Sequence, residues 1–109
     1  MSIDVASIAQ QILSEAVNTG GKTWEKIRKA APFFIEGYAQ SLAKAAQAVA
    51  NGGVTAAEGK MIASHARLIM VQGIAFSTVV ILTQVQAFMD GVIDTVKTAI
   101  NAALPVAIL

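Results

Sequence analysis

The run from Ala16 to Thr23 ends in Gly21, Lys22 and Thr23, the spacing of a phosphate-binding loop with Ala16 where the first glycine belongs. That chemistry needs backbone N–H groups cradling phosphate oxygens, a lysine against the terminal phosphates and a hydroxyl on magnesium. It also needs a strand before the loop and a helix after it. Here the preceding residues follow a helical pattern, and no apolar strand ending in aspartate supplies a magnesium ligand. The run is read as a turn between helices with Thr23 capping the second, and no nucleotide is expected as partner.

His65, the single histidine, lies seven residues after Glu58, and the chain has no Glu-x-x-His pair of the kind that builds a carboxylate-bridged metal bundle. Ser64 is its neighbour in sequence, but adjacent side chains diverge on a helix, so no nucleophile–base pair forms there. His65 is read as a helix-surface or interface residue, able to switch with pH if an interface buries it. Glu36 sits among Phe33, Phe34, Ile35, Gly37 and Tyr38, either perturbed by them or at a solvent rim; the rim is preferred. Lys22, Lys26, Arg28 and Lys29 cluster beside Trp24, a combination that suits anionic headgroups and equally an exposed helix start. No catalytic, cofactor-binding or metal-ligating residue is assigned, and the chain is read as non-enzymatic. A net charge of +1 gives no reason to expect nucleic acid, and the absence of cysteine excludes disulfides and thiolate metal sites.

The elements that carry these residues are helical. Val5, Ile8, Ala9, Ile12, Leu13, Ala16 and Val17 form a one-face stripe, predicting a helix over about 3–18. The pairs Gly20-Gly21 and Gly52-Gly53 read as breaks after helices. Between them a second helix is expected over about 23–51, with a seam of Trp24, Ile27, Ala31, Phe34, Ile35, Tyr38, Leu42, Ala45 and Val49. Pro32 either kinks it or opens a new helix after a short turn at 29–31. Gly37, Ser41 and Ala45, spaced by four, would let another helix approach closely.

Thr55 and Glu58 form a capping box opening a third segment that meets no proline until Pro105. One helix over about 55–104, roughly 75 Å long, is expected, either continuous or broken near Asp90-Gly91. Its heptad seam runs Met61, Leu68, Ala75, Leu82, Met89, Val96, Ala103 and, three residues later, Ser64, Val71, Thr78, Val85, Val92, Ala99. The expected fold is therefore all-α, a single domain over 1–109 forming an elongated antiparallel hairpin or bundle of about three helices.

Between Arg67 and Asp90 stand 22 residues without a charge, roughly 33 Å as helix and close to a bilayer's apolar thickness. Either protein surrounds this stretch or lipid does. Seven of the eight Lys and Arg residues precede it, as cytoplasmic flanks of a span would. Gln72, Gln84, Gln86, Ser77, Thr78 and Thr83 speak against lipid, and Trp24 and Tyr38 lie too far upstream to mark its ends. With only 14% charged residues, the chain also has little to cover its own surface. The leading expectation is a self-assembling homo-oligomer with a structural or adaptor role. Its interface would be Leu68, Val71, Ala75, Val79, Leu82, Val85, Met89 and Val96. The alternative is a small membrane-inserting protein, pore-forming or holin-like, with 68–89 as the spanning segment. The start of the chain lacks a basic region followed by an apolar run, so no secretory signal is expected; cytoplasm and membrane both remain open as locations.

Overall fold

A computed structural model describes residues 3–109 and contains helices and turns, with no strand among the described residues. Met1 and Ser2, part of the start read above for a signal, lie outside them. Among the described residues there are five helices: α1 (Val5–Thr19), α2 (Gly21–Ile27), α3 (Ala31–Ala50), α4 (Ala56–Phe76) and α5 (Leu82–Ala103).

Helix α1 starts where the Asp4 carboxylate accepts the Ser7 backbone N–H at 3.0 Å. Its stripe buries Ile8, Ala9, Ile12 and Ala16. Gly20 separates α1 from α2 because a Cβ there would lie only 2.9 Å from the Val17 carbonyl oxygen. Pro32 opens a helix and kinks none: the chain turns through 28–30, and α3 starts at Ala31 with the proline in its first turn. A proline costs nothing there, since that N–H has no partner within the helix. At the other end of α3, the Gly53 N–H bonds the Ala48 carbonyl at 2.9 Å and the Gly52 N–H bonds that of Val49 at 3.0 Å. Gly52, at φ +77°, supplies the left-handed residue that this paired closure requires.

Thr55 and Glu58 make both halves of the capping box, at 3.1 and 2.8 Å. The Thr55 backbone N–H holds the Glu58 carboxyl below its usual pKa, so this half weakens as pH falls through that lowered value. Thr55→Ala should lower unfolding stability by about 1 kcal/mol in a urea titration. An unchanged midpoint would show that α4 does not depend on this start.

The third segment is two helices, and this corrects the sequence expectation. Helix α4 stops at Phe76, residues 77–81 form an open connection, and α5 runs from Leu82 straight through Asp90 and Gly91. Thr78, Val79, Val80 and Ile81 are consecutive β-branched residues, each restricted in a helix. The Thr78 hydroxyl oxygen accepts the Val80 N–H at 3.3 Å, a local turn that competes with helix. A reversal here lets α5 lie back along α4. The molecule measures 41 × 21 × 19 Å, so the 75 Å rod is folded on itself.

Helix α1 packs against α3 and α5, and α4 packs against the same two, a ring of four helices with α2 as a connector. Phe34 lies on Gly73 and Val49 on Gly59, so α3 and α4 are antiparallel. Arg67 meets Asp90, which makes α4 and α5 antiparallel too. Ile8, Ile12, Ile35, Leu42, Met70, Ile74, Met89, Ile93 and Ile100 fill the centre. The residues after α5 fold back, with Ile108 near Gly59 and the Asn101 side chain clasping the Leu109 backbone at 3.0 and 3.2 Å.

Candidate association surface

Helix α4 buries Gly59, Ala63, Ala66, Met70, Val71 and Ile74 on one side. Its opposite side is also apolar. Ile62, Ile69 and Phe76 follow one another at intervals of seven residues, Met61 and Leu68 form a parallel row, and His65 stands between. All six are exposed, Met61 at 71% and Phe76 at 88%. No charged residue lies on this face from Met61 to Phe76, a length of about 22 Å. Contiguous apolar surface of this kind marks interaction sites, whereas single exposed apolar residues do not.

A groove of about 500 Å³ runs beside that face, between α3 and α4. Gly37, Ser41 and Ala66 are too small to fill it, and Phe33, Phe34, Ile62 and Ile69 wall it. Phe33 and Phe34 meet edge to face with centroids 5.2 Å apart, and Phe33 stands 76% exposed. Glu36, Gln40 and His65 line the groove as well, all exposed. Glu36 thus keeps the solvent-facing position preferred for it. The structure brings His65 and Glu36 to one groove, a juxtaposition that the sequence pattern did not reveal because they lie on different helices.

One polar cluster joins α4 to α5. The Arg67 guanidinium lies 3.3 Å from the Asp90 carboxylate and 4.0 Å from that of Asp94. The spacing of Asp90 and Asp94 by four residues reads as a repelling pair on a solvated face. Arg67 turns it into a bracket. Tyr38 is buried nearby, and its hydroxyl makes no hydrogen bond within the chain. Burial pushes the Tyr38 pKa up, opposed by the positive charge of Arg67, so the phenol stays neutral. Among the described residues, no three His, Asp or Glu side chains are placed to hold a metal ion. The turn at Gly20 joins helix to helix, without the strand that a phosphate cradle needs.

The residues assigned to an association seam separate into three groups. Val71, Val85 and Met89 are fully buried in the chain's own core. Ala75 and Val96 pack partly against it. Leu68, Val79 and Leu82 are exposed, Val79 at 89%. The uncharged stretch is divided between two helices, and no helix of the described residues is long and apolar enough to cross a membrane. Met61, Ile62, Ile69 and Phe33 were not among the residues assigned to the association seam, and all four are exposed. Met61 already stood on the heptad seam; Ile62 and Ile69 showed as a second row seven apart. No protein-family model, curated protein or solved structure matches this chain.

Proposed function

We propose that this chain is a non-enzymatic, self-associating helical protein with a structural or adaptor role, whose copies meet through the outer face of α4. The uncharged row of Met61, Ile62, Leu68, Ile69 and Phe76, left in water by the chain's own fold, carries this reading. A ridge and a groove lie side by side on one face. Two copies related by a two-fold axis can then each set a ridge into the other's groove, the self-complementary geometry of a symmetric dimer. The small residues Gly37 and Ser41 let the partner helix come close. Arg67, Asp90 and Asp94 lie toward α5, away from this contact, and need not be desolvated by it.

The test is mass in solution against concentration. Wild type should sediment above the monomer mass, and Leu68→Asp/Ile69→Asp should sediment as a monomer. Burying two carboxylates in an apolar contact costs enough to weaken association at least about a hundredfold. Both residues are exposed in the single chain, so the unfolding midpoint should move little. A wild type that stays monomeric at high concentration would sink the proposal.

A further inference from the structure

We propose that the end of the bundle formed by the α4–α5 connection and the start of α3 docks on an anionic lipid bilayer. Val79, Ile81 and Leu82 are exposed there, and α3 begins at the same end because Phe34, in its first turn, lies on Gly73 near the end of α4. This apolar surface caps an end of the bundle, whereas the self-association face runs along its side.

A basic segment leads into the same end. Residues 20–30, leading directly into α3, carry Lys22, Lys26, Arg28 and Lys29 against Glu25 alone, net +3; with a total of +1, the rest of the chain is net −2. All four cations are exposed, while Ile27 anchors the segment in the core. Helices α3 and α5 both begin at this end, and neither has a side-chain cap on its first N–H groups. Helix α4 begins at the other end, where Thr55 and Glu58 cap it. Free N–H groups at a positive helix terminus favour phosphate and carboxylate.

Apolar side chains entering the acyl boundary beside cations at headgroup level make the signature of interfacial binding. Charge chooses the occupant. A neutral protein groove would accept Val79 and Ile81 but would leave four lysine and arginine side chains without a use, whereas an anionic bilayer engages both. The docking does not require a membrane-crossing helix.

Flotation with vesicles of phosphatidylcholine alone, and with phosphatidylserine added, tests the proposal. Wild type should float with the anionic vesicles, much less with the neutral ones, and should be released by salt. Basic residues near an anionic surface contribute about fivefold each, so Lys22→Gln/Lys26→Gln/Lys29→Gln should lower partitioning roughly a hundredfold. Val79→Ser/Ile81→Gln should lower it at least about tenfold through lost apolar insertion. Neither set should change the helical spectrum, the thermal midpoint or the sedimenting mass. Absence of wild-type flotation, equal flotation with both vesicles, or full retention by either variant would overturn the proposal. Loss of oligomer mass in Val79→Ser/Ile81→Gln, without loss of flotation, would assign the tip to the protein interface instead. Leu68→Asp/Ile69→Asp reports on self-association separately, so each proposal can fail alone.

Discussion

Met89→Asp is expected to unfold the chain in plain buffer, while Val79→Asp, ten residues earlier in the same uncharged stretch, leaves its stability within about 0.5 kcal/mol of wild type. Met89 has no exposed surface and shares the inner side of α5 with Val85, Val92 and Ile93, and α5 packs against α1 and α4. A carboxylate there must either ionise without a partner or take up a proton against its intrinsic preference. The unpaired buried charge costs about 3–5 kcal/mol, and the lost packing of the thioether adds to it. Against a total stability of about 5–15 kcal/mol for a domain of this size, that loss empties much or all of the folded state. Val79 stands 89% exposed in the connection before α5 and loses no buried contact. Circular dichroism with urea titration separates the two variants. If Met89→Asp stays helical and merely loses oligomer mass, Met89 faces a second copy, and the four-helix ring described here is wrong.

Leu42→Ala should lower unfolding stability by about 2–5 kcal/mol, with a thermal midpoint falling by roughly 10–20 °C. Leu42 is fully buried in α3, and its buried neighbours along that helix are Ala39, Ala43, Ala45 and Ala46. On α4 the facing core positions include Ala63 and Ala66. Alanine brings the helices close but contributes little volume, so the few large side chains fill the interior almost alone. Removing one leaves a hole that small, helix-bound neighbours cannot close by turning a rotamer. The outward Leu68, truncated the same way, should shift the midpoint by no more than about 0.5 kcal/mol, since it makes few contacts in the single chain. A loss below about 1 kcal/mol for Leu42→Ala would place the centre of the core elsewhere.

Local signals told where helices begin and end. The stripe that starts at Val5, the capping box at Thr55 and the glycines at 52 and 53 act through neighbours three to five residues away; the caps form as drawn, and the stripe buries Ile8, Ala9, Ile12 and Ala16 while its last member, Val17, stays exposed. For Pro32 the local rules allowed a kink or a start. The start prevails because a separate α2 lets Ile27 and Ala31 both reach the core. The break at 77–81 had a local trace in the β-branched run from Thr78 to Ile81, but the cost of those residues in a helix is a few tenths of a kcal/mol each. That is too little to end a helix without help from packing. Asp90-Gly91, the expected breaking point, is held helical because Arg67 on α4 reaches across to Asp90 and Asp94.

The sequence by itself therefore determined an all-helical chain, the cap at Thr55 and most of the inward positions of α1 and α3, whereas Thr23, read as a cap, lies inside α2 and only four positions of the long seam turn inward. It also showed that the apolar supply exceeds what one helical face can use. Only the tertiary structure decided how that supply is divided. A repeat of seven residues records that a position wants an apolar neighbour, not whether the neighbour belongs to the same chain. Folding α5 back along α4 gives Val71, Val85 and Met89 their partners inside the chain and leaves Met61, Ile62, Ile69 and Phe76 outside. The same fold brings His65 and Glu36 to one groove and sets the start of α3, into which residues 22–29 lead, at the end where α4 stops. These meetings join residues far apart in sequence, and such contacts depend on where the chain reverses, which no local pattern of residues specifies.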